Sequence, residues 1–521
     1  MADSSVDSTS LRLAELMAAL SIATDLGMGQ PMEHAMRTCI VAVRLGEAAG
    51  LSDAELRDAY YEALLRYIGC NADTYWLSSI VGDEIALRTE YAEIDTADIE
   101  STVEMVVRYI RQANAGANPQ QMAQIIDQKM AELPLVTSSF FPGHCEVAKR
   151  LATRLNFPES FVQTVGQIYA RWDGQGVPAL KGEAISPAML VAGLAHDAVI
   201  FYNLGGVAAA TAMARQRSGG AHAPWLVEIF CERAEELLAG LDSEPTWQTV
   251  LDLEPGAHHT LDDTAFDTAC EAIADFTDIK SPYFLNHSRH VADLAARAAQ
   301  EYGLPPDDVG LVRRAGYLHD LGKVGISAGI WGKSTLTNRD WEKVRLHPYY
   351  TERVLARPAK LAEIGALAGL HHERLDCSGY HRNCSGTMLS PTARILAAAN
   401  TFCSMTEHRA HKPAYAPERA AEALTAAVKD GCLCGDAVKA VLIAAGQQAP
   451  TGKKETVAGL SRREIEVLRL LARGYTMHET AAELTIAYKT VDRHIQNIYT
   501  KINVSTRAGA TLFAMENNLL M

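Results

Sequence analysis

At 521 residues and 48% hydrophobic, the chain is long enough to bury two to four cores. A formal charge of −15 excludes a surface that coats nucleic acid generally, so any DNA contact must be local. No apolar run approaches the ~18 residues of a membrane span, MADSSVDSTS lacks the parts of a signal peptide, and ten cysteines show no framework spacing; the chain reads as cytoplasmic, away from membranes, with reduced thiols.

Residues 11–25, LRLAELMAALSIATD, carry apolar positions at helical spacing behind a Ser/Thr-rich start that can cap them. Most of the remaining chain is rich in Ala, Leu, Glu and Arg with a 3.6-residue period, and alternating runs are few. The expected fold class is all-α. Residues 28–235 hold a pattern that returns later in the chain. It comprises QPMEHAMRTCIVAVRLGEAAGLS with His34, YYEALLRYIGC with Arg66 and Tyr67, and IYARWDGQGVPALKGEAISP with Ile168, Tyr169 and Ala170 ahead of Asp173, Gly174, Gly176 and Pro178. A repeat of about 200 residues is too long for a solenoid and implies duplication of a whole domain. His144, His196 and Asp197 also lie in this copy, with no consistent set of partners in the sequence.

Acidic residues, prolines and a glycine interrupt the helices between 238 and 265. The first domain is therefore set at 1–245 and a linker at 246–265, with His258 and His259 solvated. The second copy, 266–446, contains GYLHDLGKVGI, which places His319 beside Asp320 and Lys323 shortly after. An imidazole next to a carboxylate suits a divalent metal, because the carboxylate can bridge two ions. Alone, the dipeptide reads first as a capped helix with a surface charge. Its company decides: His287 opens an upstream helix, RLHPYYTERVL carries His347, and LAGLHHERLDCSGYH carries His371, His372, Glu373 and Asp376. Buried histidines without metal would each need a separate hydrogen-bond partner, whereas one or two shared ions satisfy them all. Cys432 and Cys434, by contrast, lack nearby ligand partners and read as structural.

The spacing H…HDxGKxGI…HP…HHExxDxxGY, from about Asp278 to Leu442, resembles the HD-GYP branch of the HD phosphohydrolases. The resemblance implies an all-helical fold, a two-metal centre and hydrolysis of phosphodiesters, typically cyclic di-GMP. It also implies that His287, His319, Asp320, His347, His371 and His372 are metal ligands and that Lys323 contacts a substrate phosphate. Fe, Mn or Zn would suit imidazole and carboxylate donors. The chain departs from the family in four places. Gly-Tyr-Pro is Gly379-Tyr380-His381; the glycine after Asp376 is Cys377; the metal-binding aspartate of the A-x-A-D segment is Asn400, within RILAAANTFCSM; and a later aspartate is Cys403. An amide is a poorer ligand than a carboxylate, so the metal near His287, His319 and Asp320 is expected to bind more weakly, giving one or two ions per chain. The first copy has lost the ligands and is expected to be a scaffold or a sensory pocket rather than a catalyst.

GQQAPTGKKETVAG, 446–459, then reads as a flexible tether, with the linker set at 447–458 before a last domain at 459–521. From Lys453 onward there are 10 Lys and Arg against 7 Asp and Glu, on a chain that is otherwise strongly acidic. The break GYTMHE, with Gly474 and a Thr476 cap, followed by KTVDRHIQNIYTKI, has helix-turn-helix form. This stretch resembles the LuxR-type DNA-binding domain. In its recognition helix Lys489, Thr490, Arg493, His494, Asn497 and Lys501 fall near one face, suited to bases and phosphates, and Val491, Ile495, Ile498 and Ile502 fall on the other. The resemblance implies pairing through about Thr506–Leu520, hence a homodimer on DNA. The expected function is a DNA-binding transcriptional regulator whose second copy binds divalent metal and senses a phosphorylated, nucleotide-like ligand such as a cyclic dinucleotide. The alternative is an active metal-dependent phosphohydrolase using Asp320 and Lys323, with DNA binding attached.

Overall fold

The computed structural model describes residues 11–243, 246–446, 457–517 and 519–520. Most of the tether expected at 447–458 lies outside them. The protein is all-α: the one sheet among the described residues is a two-residue antiparallel pair, Leu11–Arg12 against Thr260–Leu261. The chain divides into two units, up to Asp262 and from Asp263.

In the first unit the helices Leu13–Gly27, His34–Ala48, Asp53–Leu65 and the front half of Pro187–Gln216 enclose one core. Ser52 and Glu55 cap the third of these reciprocally, which is what a Ser-x-x-Glu start does. Helices from Thr74 to Phe140 bring together Leu77, Ile80, Val81, Leu87, Met105, Val106 and Ile110 in a cluster of their own. Pro187–Gln216 is long and apolar enough to cross a membrane by length and composition. It is broken at Gly205 and Gly206, and its apolar residues from Ala188 to Ile200 are buried in the unit. Residues 246–262, a linker by composition, fold back onto the same unit. Tyr60 Oη donates to Val250 O (3.2 Å) and Tyr61 Oη to Glu254 Oε1 (2.7 Å), so polar side chains of the core helices capture this stretch. His258 and His259 are exposed, as their setting suggested.

The second unit repeats the plan with His287–Tyr302, Pro306–Leu318 and Pro391–Thr406 around the buried side of Asp263–Asp278. The duplication is visible in detail. Glu33 (φ 72°) and Asn286 (φ 64°) both turn the chain through the left-handed region just before a helix that opens on a buried histidine, His34 or His287. Ten residues before the donating amide, Asp25 accepts from Ala35 N (3.1 Å) and Asp278 from Ser288 N (2.8 Å). Each carboxylate thus satisfies an N-terminal helix amide that the turn leaves unpaired.

The C-terminal helices are Arg462–Ala472, Met477–Glu483, Tyr488–Ile502 and Arg507–Glu516, the first two begun by Ser461/Glu464 and Thr476/Glu479 capping boxes. Val491, Ile495, Ile498 and Ile502 are buried, while Lys489, Thr490, Arg493 and Asn497 are exposed. Two residues of the expected DNA face have other surroundings. Lys501 Nζ donates to Glu464 Oε2 (2.7 Å) and Gly459 O (3.1 Å), because the nearly buried Glu464 carboxylate needs a cation. His494 is half-buried, with Nδ1 shielded from solvent.

Candidate metal centre

In the second unit four separate segments bring His287, His319, His347 and His371 to one buried point, each about 1% exposed or less. Three of the rings are oriented by the same device. His319 Nδ1 donates to Gly316 O (2.7 Å), His347 Nδ1 to Val344 O (2.6 Å) and His371 Nδ1 to Ala368 O (2.7 Å). A carbonyl only accepts, so these partners assign the proton to Nδ1 and leave each Nε2 bare and inward. His287 is turned by a carboxylate instead, donating from Nδ1 to Glu407 Oε2 (2.7 Å), which also takes a bond from Arg409 (2.9 Å).

Asp320 stands between two histidine sets. Its Oδ2 lies 3.4 Å from His287 Nε2 and 3.2 Å from His319 Nε2, and its Oδ1 lies 3.4 Å from His347 Nε2 and 3.5 Å from His371 Nε2. Two groups of donor atoms result, His287/His319/Asp320 and His347/His371/His372. The fit to a cation is chemical. His347 Nε2 and His371 Nε2 face each other at 3.1 Å with no proton between them, and His319 Nε2 and Asp320 Oδ1 have no hydrogen-bond partner among the described residues. Converging bare acceptors in a buried space repel one another unless they share a positive charge. Imidazole and carboxylate donors, oriented from behind by carbonyls and Glu407, suit a divalent transition metal.

Electrostatics agree with that arrangement. Burial would push Asp320 up, but the positive charge around it, Lys323 included, outweighs burial and holds the carboxyl well below its usual range. Burial pushes His287 down to about 4, against the pull of Glu407. Lys323 pairs with Asp320 and rests over Phe284, 4.2 Å from the ring centroid. Burial lowers its ammonium, and Asp320 opposes the shift.

Asn400 Oδ1 sits 3.1 Å from His287 Nε2, so the amide occupies the edge of the first donor group. His372 completes the second group and stacks on Tyr380 (4.6 Å). Glu373 points elsewhere: it accepts from Arg382 N (2.6 Å) and Cys384 N (2.8 Å), anchoring the turn that holds Tyr380. Asp376 is outside the centre, accepting from Ser378 N (3.1 Å). Sequence reasoning missed Glu407 and Arg409, which follow the Pro391–Thr406 helix and carry no local signal of their role.

The matching place in the first unit is filled by different chemistry. His196, where the second unit has Asn400, binds Tyr67 through Nε2 and Asp197 Oδ1 through Nδ1 (3.1 Å). Asp197 Oδ2 also takes Arg217 (2.6 Å) and His222 Nε2 (3.0 Å). His196 and Asp197 therefore do have a consistent set of partners, contrary to the sequence expectation. Those partners come from residues far apart in the chain. His144 joins Tyr169 instead (2.7 Å).

Comparison with known proteins agrees with this division. An HD domain family matches residues 271–431, and the family of bacterial regulatory proteins of luxR type matches 458–514. The chain is 30% identical over 433 residues to "3'3'-cGAMP-specific phosphodiesterase 3" of Vibrio cholerae, covering 80% of this chain and 91% of that protein. That match is longer than the whole second unit, so it extends into the first. A crystal structure described as a cyclic GMP-AMP specific phosphodiesterase of V. cholerae aligns with TM-score 0.57 at 27% identity, over 84% of this chain and 99% of that one. At the C-terminal end the chain is 41% identical over 61 residues to the response regulator VraR of Staphylococcus aureus, 12% of this chain and 29% of that protein.

Proposed function

Because the chain belongs to the HD-domain phosphodiesterases of HD-GYP type and ends in a LuxR-type DNA-binding domain, we propose that it is a transcriptional regulator whose second unit is a metal-dependent cyclic-dinucleotide phosphodiesterase. The observation that carries this reading is Asp320, one carboxylate whose two oxygens face two separate histidine groups. The relatives named for cyclic GMP-AMP supply the substrate class.

His287, His319 and Asp320 would hold one divalent ion, and His347, His371 and His372 would hold a second. Bound metal supplies Lewis-acid polarisation of the phosphate and activates water for attack. The chain's own residues do the remainder. The three carbonyls and Glu407 fix the imidazoles in their donor orientation, so no reorganisation accompanies substrate entry. Lys323, buried beside Asp320, offsets the negative charge of the phosphodiester. Release of one bridging ester oxygen opens the cyclic ring to a linear dinucleotide.

Asn400 favours a second reading, in which the unit binds the dinucleotide and turns it over slowly, leaving sensing as the main role. The test is metal counting and hydrolysis in the same preparations. Asn400→Asp is expected to raise metal content from below two towards two per chain, with hydrolysis of cyclic GMP-AMP or cyclic di-GMP rising roughly 10-fold or more, the effect of a group that contacts the ion. A variant with unchanged metal and unchanged turnover would remove Asn400 from the first donor group. No hydrolysis by either protein, with metal bound, would leave the binding role and defeat the enzymatic one.

A further inference from the structure

Cys377 is a side chain where the backbone favours none. It has φ 62°, and the matching residue of the first unit is Gly174 at φ 83°. The left-handed region is glycine's, so a cysteine here calls for a chemical reason. A second thiol lies across the same turn. Asp376 pairs with Ser385 in an antiparallel bridge, and Gly386 N donates to Leu375 O at 3.1 Å. Cys377 and Cys384 are the next residues inward from that bridged pair, one on each arm of the same turn. A disulfide spans Cα atoms roughly 4.4–6.8 Å apart, a distance that facing arms of a tight turn can supply.

The surroundings fit unequal roles for the two thiols. Cys377 is exposed, whereas Cys384 is 5% exposed with its amide held by Glu373 Oε2 (2.8 Å). Burial and the Glu373 carboxylate raise the Cys384 thiol, and the neighbouring Cys377 adds to that rise. In the first unit the arms of the corresponding turn also approach closely: a Cβ added at Gly174 would stand 3.1 Å from Lys181 Cβ.

We infer that Cys377 and Cys384 form a reversible disulfide that closes the turn carrying Tyr380. Hydrogen peroxide is the oxidant. The Cys377 sulfur attacks one peroxide oxygen, the O–O bond breaks, and a sulfenic acid and one water result. The Cys384 sulfur then attacks the Cys377 sulfur; the S–S bond forms, the S–O bond breaks and a second water leaves. Two thiols have lost two electrons and two protons in all, and a thiol reductant returns them. The closed ring holds Tyr380 against His372, the ring on which it stacks. The inference does not depend on the proposed activity, because the bond itself is the readout.

Trypsin cuts after Arg374 and Arg382, so it leaves Cys377 and Cys384 on different peptides. After stoichiometric peroxide treatment of the full chain and blocking of free thiols, mass spectrometry without reductant should find most of the Cys377 peptide joined to the Cys384 peptide. Dithiothreitol should separate them, and Cys377→Ser should leave Cys384 blocked as a free thiol. Cys432, whose Sγ lies 3.2 Å from Asp376 Oδ2, is the competing thiol. Linkage of Cys377 to Cys432 or to another chain, or two singly blocked peptides after oxidation, would overturn the inference.

Discussion

Asp320→Asn should strip most of the bound metal and lower phosphodiester hydrolysis on the order of 10³-fold, equivalent to about 4 kcal/mol of barrier. The expectation rests on the carboxylate's two-sided position. One oxygen faces His287 and His319 and the other faces His347 and His371, so a single amide weakens both donor groups at once. Asparagine keeps the shape of the side chain, so the core around it is not opened. It does remove the charge that pairs with buried Lys323, a loss that destabilises the unit by roughly 3–5 kcal/mol if nothing compensates. Circular dichroism and a melting curve must therefore accompany the metal count. A folded Asp320→Asn protein that keeps the metal content of the parent would sink the bridging role.

Glu373→Gln offers a contrast within the same motif. Glu373 binds two amides of the Tyr380 turn and does not face the donor groups. Its replacement should loosen that turn while the metal count stays at the wild-type level, read by metal analysis and by amide exchange at Arg382 and Cys384.

The histidines of the second unit were legible because each begins or ends a helix beside an apolar run, and helix ends are where a side chain can be aimed at a common point. The helical period likewise announced the all-α fold. The supporting groups were not legible. Glu407 orients His287 across more than a hundred residues, and nothing local to EHRAH marks it as a metal-site carboxylate. The Tyr67–His196–Asp197 chain of the first unit was hidden for the same reason: its members come from a turn and a distant helix, and losing the metal motif says nothing of what replaces it. Residues 246–262 misled through composition. Prolines, glycine and acidic residues suggest a free connector, but Tyr60 and Tyr61 of the core hold it by long-range hydrogen bonds. At the C-terminal end the period separated the buried from the exposed face of the recognition helix, yet it could not foresee that Glu464 would take Lys501.

The full-length protein should bind DNA with an affinity that falls steeply with salt, at a slope of about −0.9 per phosphate neutralised. With the chain at −15 overall, association depends on the local positive face of residues 457–517 rather than on net charge. Exposed Lys489, at the start of the Tyr488–Ile502 helix, is placed to meet phosphate. Lys489→Ala should weaken binding to every sequence alike and lower the slope by about 1. Exposed Arg493, one turn on, is placed to meet a base edge. Arg493→Ala should relax preference at one base pair at a cost of about 1–3 kcal/mol, so that specific sites lose roughly 10- to 100-fold and random DNA loses far less. Lys501 separates this account from a simple count of basic residues. Its ammonium is engaged by Glu464 and Gly459, so Lys501→Ala should lower the melting temperature of the C-terminal domain while leaving the salt slope near that of the parent. Fluorescence anisotropy on selected and random duplexes over a salt series gives the binding results for all three variants, and a melting curve gives the stability of Lys501→Ala. If Lys501→Ala lowers the slope as much as Lys489→Ala does, that contact is broken on DNA and Lys501 belongs to the binding face. If the parent binds neither duplex at low salt, the regulator reading fails.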